Sequence, residues 1–142
     1  MLIQFVIGIF MTAFTVAFGA LTLVATSELL QRNRTHLIEH GRIGRHVMSL
    51  TLVSTMLVAG MLFVTVAWSL VLQAFGVFGD FEAALYFSMI SFTTVGYGDV
   101  IPPDQWRLLA GFISIDGFLL FGLNTAFLFE VLRRMRDRDL PG

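Results

Sequence analysis

Seven consecutive residues, Thr93-Thr94-Val95-Gly96-Tyr97-Gly98-Asp99, have the types and spacing for a defined piece of chemistry. Two glycines alternate with Val95 and Tyr97. Glycine enters left-handed backbone conformations without a Cβ penalty. When left- and right-handed residues alternate, successive carbonyl oxygens turn to one side and the larger side chains turn away to brace the loop. An ion crossing a membrane must have its hydration shell replaced, and closely spaced rings of carbonyls can do this. Thr94 can add its hydroxyl below them. Asp99 and Asp104 place negative charge at the mouth, where it concentrates cations.

Such a loop needs elements that hold it at membrane depth. The chain has 142 residues, enough for about one domain. It is 56% hydrophobic and 13% charged. Soluble domains average about 25% charged residues, so the composition is that of a membrane protein. There is no cysteine, which excludes disulfides and thiolate metal sites. No nucleophile–base pair or metal set appears, so an enzyme is not expected. Nothing points to nucleic acid. All nine basic residues are Arg. Eight fall in two groups: Arg32, Arg34, Arg42 and Arg45, then Arg133, Arg134, Arg136 and Arg138. Residues 76–105 have no Arg but hold Asp80, Glu82, Asp99 and Asp104. By the positive-inside rule the Arg groups are cytoplasmic and the acidic segment is outside.

The spans follow from length. Residues 2–27 form an apolar run of about 26 residues, roughly 39 Å as a helix, against about 30 Å of hydrocarbon. No basic residue precedes the run and Arg follows it, so it reads as a retained helix with its N-terminus outside, not a cleaved signal peptide. Gly8, Thr12, Thr15, Gly19, Thr22 and Thr26 step 4-3-4-3-4 along it. Small and hydroxyl residues on one seam let membrane helices approach closely, so this helix is expected to dock on the rest of the chain or on a neighbour. Residues 28–46 read as a polar, Arg-rich cytoplasmic connector at the lipid headgroups. Its His36, His40 and His46 read as solvated side chains. A second span covers 47–75, with Trp68 expected as an interfacial anchor near its outer end. Asp80 caps and Glu82 favours the start of a short helix over 81–92. That helix is too short to cross a bilayer, so with the Gly-rich run it forms a re-entrant unit. Pro102 and Pro103 end the loop. Trp106 opens a third span to 132, and 133–142 is a cytoplasmic tail.

Thr94-Val95-Gly96-Tyr97-Gly98, set after a short helix and between two spans, resembles the selectivity filter of potassium channels. Residues 47–132 resemble the two-helix pore module of that family: outer helix 47–75, pore helix 81–92, filter 94–98 and inner helix 106–132. Tyr86-Phe87 sit where the family often has two aromatics packed around the filter. Phe121-Gly122-Leu123-Asn124-Thr125-Ala126 resembles the inner-helix stretch of simple bacterial members, and Gly117 falls at the family's hinge glycine. The resemblance implies K+ at the carbonyls of Thr94, Val95, Gly96 and Tyr97, supported by Thr93, Asp99 and Tyr86. It also implies no cofactor beyond the permeant ion. Three departures stand out. Ile90 replaces a Glu that in some members pairs with the filter Asp, leaving Asp99 to bond Tyr86 or Trp106. The first helix is not part of the minimal module. Neither an Arg-repeat voltage sensor nor a ligand-binding domain is seen.

Along the inner helix, Ser114, Phe118, Phe121, Thr125 and Phe129 step 4-3-4-4 and share one face. The resemblance puts that face on the water-filled path, which makes Phe118, Phe121 and Thr125 cavity-lining and Phe129 a dewetting gate. Asp116 is the ionisable residue deepest in a span, a functional hypothesis by default. It either lines the cavity or faces the second helix and the Thr seam of the first. The nine residues between it and Thr125 amount to about 180° of rotation.

One pore loop per chain supplies one quarter of a filter, so four copies are required. The expectation is an all-α membrane protein: three spanning helices plus a re-entrant pore helix and filter, assembling as a homotetramer in the cell membrane, with lipids and K+ as its other partners. It would conduct K+ passively. The alternatives are a pore-like subunit of a larger transport or sensory complex and a less selective cation channel.

Overall fold

A computed structural model describes residues 1–32 and 42–137. Four α-helices make up almost all of it: α1 (Leu2–Arg32), α2 (Arg42–Ala74), α3 (Phe81–Phe92) and α4 (Arg107–Asp137). A single 3-10 turn, Asp104–Trp106, leads into α4. No strand occurs among the described residues. Three helices are long and apolar enough to cross a membrane, and α3 is the short apolar fourth. The all-α architecture with three spans is therefore observed.

The spanning helices overrun their apolar runs. α1 continues past residue 27 to Arg32, α2 begins at Arg42 inside the expected connector, and α4 continues to Asp137. Leucine, glutamate and arginine are good helix formers, so nothing local stops the helix at the hydrocarbon edge. Arg32, Arg134 and Arg136 also lie in last turns, where the partial negative charge of the helix end favours them. Leu30 extends the packing with Val53 and Leu57 of α2. His36, His40 and most of the connector lie outside the described residues, as does 138–142.

The α2–α3 corner is set by local chemistry. Gly76 takes φ 65, Val77 N donates to Leu72 O (2.9 Å), and Gly76 N donates to Gln73 O (2.9 Å). This is a Schellman stop, and its apolar pair, Leu72 and Val77, is buried in the main core. Asp80 then caps α3, its carboxylate accepting from Ala83 N at 2.8 Å. α3 thus starts four residues after α2 has reversed, and packs between α2 and α4.

α1 lies along α4 in parallel register. Leu108 N donates to Gln4 Oε1 at 3.2 Å. The Phe112 ring and the Leu120 side chain fill the space a Cβ would take at Gly8 and at Gly19. Between them, Thr15 meets Asp116. The row 108, 112, 116, 120 of α4 therefore drops into the small-residue seam of α1, the expected docking and the usual way lipid-embedded helices approach. Thr22 packs on Gly60, and Phe18 stacks on Phe63 at 4.5 Å, so α1 runs antiparallel to α2. The main core spans all four helices and includes Met11, Val64, Trp68, Phe87, Leu109 and Ile113.

Candidate ion pathway

The 94–98 run hangs from the C-terminal turn of α3. Thr93 caps that helix, its N and Oγ1 both reaching Met89 O (3.0 and 2.8 Å). Thr94 N donates to Ser91 O and Gly96 N to Ile90 O, each at 3.0 Å. Along the run φ is positive at Thr94 (61), Gly96 (54) and Gly98 (78), and at no residue between them. This is the left–right alternation expected of a carbonyl ladder, and it begins one residue earlier than the glycines alone indicate. A β-branched residue in the left-handed region costs about 1–3 kcal/mol and survives only where its surroundings enforce it. Here the bonds to Ser91 and Ile90 bracket Thr94.

The run has no cover from the described residues. Residues 93–99 are all exposed, with Val95 at 52% and Tyr97 at 74%. Above it, Tyr86 Oη donates to Asp99 Oδ2 at 2.6 Å, which selects Tyr86 over Trp106 as the partner. That bond holds the Asp99 carboxyl below the usual carboxylate range and raises the Tyr86 phenol. Ile90 is buried and apolar, and contributes its carbonyl instead of a side-chain acid. Phe87 is buried against the Phe78 ring at 5.1 Å. Trp106 packs on Phe75 at 5.8 Å. Asp104 pairs with Arg107 at 2.5 Å, an exposed contact that offsets its charge at the mouth.

α4 shows two faces. Phe118, Phe121 and Phe129 are 66–76% exposed, and Thr125 is exposed with its hydroxyl returned to Phe121 O (2.8 Å). Nothing among the described residues covers this stripe. Phe129 borders a cleft of about 510 Å³ between the start of α2 and the end of α4. Ser114, on the same nominal face, lies higher: its Oγ sits 2.9 Å from Ser91 O and 3.0 Å from Ala110 O, so its one proton ties α4 to the end of α3. Gly117 touches the same turn. A Cβ there would overlap the Phe92 carbonyl. α4 is continuous through Gly117, so close approach to α3 already requires a glycine at the hinge position.

Asp116 resolves to the first and second helices and away from the exposed stripe. Its side chain is fully buried, and Oδ2 accepts from Thr15 Oγ1 and from Trp68 Nε1, each at 2.9 Å. Thr12 also faces the carboxyl, although neither its hydroxyl nor Asp116 Oδ1 reaches hydrogen-bond geometry. Trp68 is correspondingly not an interfacial anchor. It is fully buried, because its indole N–H finds an acceptor inside the protein. Neither Trp68 nor Gln4, buried at 3% and bonded to Leu108 N, stood out in the sequence as a helix-joining residue. The available signal for Gln4 was a polar residue four positions before Gly8, on the same seam.

No solved structure gives a significant match. Two curated relatives match over part of their length. "TWiK family of potassium channels protein 18" of Caenorhabditis elegans is 42% identical over 71 residues, 47% of this chain and 14% of its own. A cyclic nucleotide-gated potassium channel of Mesorhizobium japonicum is 37% identical over 62 residues, 39% of this chain and 18% of its own. The chain thus matches less than a fifth of either relative. The family described as "Ion channel" matches residues 45–134, well over half of the chain, taking in α2, α3, the 94–98 run and most of α4. With three helices of membrane length around that run, the chain is a multi-pass membrane protein and belongs to the ion-channel family.

Proposed function

We propose that this chain forms a potassium-selective channel, four copies arranged around the 94–98 run with cyclic symmetry. K+ passes down its electrochemical gradient, held in turn by the carbonyls of Thr94, Val95, Gly96 and Tyr97 and by the Thr94 hydroxyl. The observation that carries the reading is the positive φ at Thr94, Gly96 and Gly98 with ordinary residues between. That alternation aligns neutral oxygens at close spacing, the means by which a filter replaces hydration water. The bare side chains of Val95 and Tyr97 support assembly, since in the membrane they would otherwise stand uncovered beside the ion path. The uncovered stripe Phe118, Phe121, Thr125 and Phe129 then lines the cavity, with Phe129 as the cytoplasmic constriction. Gly117 allows the inner helix to pivot above it. The α3 C-terminus, partially negative, faces that cavity and favours a cation there. The Arg groups put the N-terminus outside and the C-terminus in the cytoplasm, with the protein in the cell membrane. Both relatives are named as potassium channels, which supports the choice of ion.

The test is purified protein in liposomes. Potassium flux blocked by barium, little sodium flux, and a cross-linked ladder ending at four copies are expected. Equal sodium flux would make it an unselective cation channel. Absence of flux at every pH, potential and lipid composition would make it a pore-like subunit of a larger complex.

A further inference from the structure

The first helix lies outside the span matched by the family, which begins at residue 45. Yet its most buried polar contact meets α4 at the level of the filter base. Four consecutive residues of α4 bridge the two. On one side Ser114 bonds Ser91 O and Gly117 lies against the Phe92 carbonyl. On the other, Asp116 receives Thr15 from α1 and Trp68 from α2. Ser91 and its neighbour Ile90 are in turn the acceptors that hold Thr94 and Gly96. The path from Thr15 to the left-handed Thr94 therefore runs through direct contacts alone: Thr15 to Asp116, Gly117 to Phe92, Ser91 to Thr94.

This contact is specified more tightly than a general apolar packing. Phe112 and Leu120, one turn either side of Asp116, are seated where Gly8 and Gly19 lack a side chain. They fix α1 in both translation and rotation. One oxygen of the buried Asp116 side chain then takes two donors, and both come from helices other than its own. A buried acceptor with defined donors tolerates little displacement, because losing a donor leaves the group unpaired. α4 is thus held from behind, at the height where its front face supports the filter.

We infer that Asp116 is a positioning residue through which α1 sets the inner helix against the base of the filter, so that α1 is a working part of the conduction unit and not an appended anchor. The inference rests on the filter reading above. Its consequence is that loosening Thr15 from Asp116 changes how the filter holds K+, although Thr15 is remote in sequence and never meets the ion.

The experiment uses the full chain as assembled in detergent and compares thermal denaturation across a potassium series, with flux in liposomes as a second readout. Thr15→Val keeps the volume and removes the donor. Asp116→Asn keeps an acceptor oxygen for Thr15 and Trp68. Thr26→Val removes a buried hydroxyl from the same seam that bonds only Thr22 O of its own helix. The expected result is a shift of the potassium midpoint by about two- to thirtyfold in Thr15→Val, the range of couplings carried through packed networks. Asp116→Asn should stay nearer to the unmodified chain, and Thr26→Val should not move. A Thr15→Val chain that melts earlier but keeps the unmodified potassium midpoint overturns the inference and leaves Thr15 a purely structural contact. An equal midpoint shift in Thr26→Val also overturns it, since any seam change would then suffice. If the unmodified chain shows no potassium dependence at all, the filter reading itself fails, and the inference falls with it.

Discussion

The two faces of α4 differ in cover: the chain's own helices close one and, among the described residues, leave the other bare. Leu109, Ile113, Asp116 and Leu120 are buried by α1, α2 and α3 of the same chain. Phe118, Phe121, Thr125 and Phe129, together with Val95 and Tyr97 above them, remain uncovered. The buried face carries large residues that seat in the small-residue seam of α1, and a polar group, Asp116, with defined donors. The bare face is aromatic and has no cover among the described residues. Water does not drive helices together inside a bilayer, so close packing and hydrogen bonds have to do it. The buried face has both, and the bare face has neither within the described residues. A single chain therefore has a finished side, packed from all four helices, and an unfinished side that is bare.

Breaking the unfinished side should cost function first. Gly98→Ala keeps open space around the new methyl but forces an L residue to φ 78. At about 1–2 kcal/mol per residue in four copies, potassium flux is expected to fall by more than about a hundredfold. Circular dichroism of the chain should not change, because the helices do not depend on the run. The finished side should answer in the opposite way. Asp116→Leu strands the Trp68 and Thr15 donors, at about 1–3 kcal/mol each in a buried site. Stability of the chain in detergent should drop by that order, and Asp116→Asn should lose less than half as much. Equal stability of all three forms would mean that the buried face is held by apolar packing alone.

Smaller changes sharpen the comparison. Phe129→Ala should raise resting potassium flux by up to about tenfold, equivalent to roughly 1.4 kcal/mol of closed-state preference. Unchanged basal flux at equal expression would remove Phe129 from the gate. Tyr86→Phe tests the rim of the bare side by pH. In the native chain the Tyr86 hydroxyl favours the charged Asp99, so the bond is complete above the ordinary carboxylate range and survives as pH falls until Asp99 protonates at its lowered value. Removing the hydroxyl should move the acid limb of the flux–pH profile upward, toward the ordinary range. A profile identical in both chains would show that Asp99 protonation does not limit conduction.

Much of this was legible beforehand, for physical reasons that differ from residue to residue. The seam Gly8 to Thr26 could be read because a helix repeats every 3.6 residues and small residues mark close approach whatever the partner. Asp80 could be read because helix caps are local. Trp68 was misread. An indole near a span end satisfies its N–H equally well at the headgroups or on a buried acceptor, and the acceptor lies 48 positions away. Asp116 stayed open between two faces because helical phase gives a direction but not what occupies it. The helix ends overran the apolar runs because hydropathy measures the bilayer, whereas Arg and Leu continue a helix beyond it.

Sequence alone determined the membrane class, the number of spans, the short apolar helix before the 94–98 run and the residues able to form a carbonyl ladder, since each follows from composition or from residues close together in the chain. Tertiary structure decided which face of α4 is closed, that Asp99 is held by Tyr86, and that the left-handed residues of the run begin at Thr94. It also joined Thr15 to Asp116 across 101 positions. Those outcomes depend on distances between helices, and no local spacing encodes them.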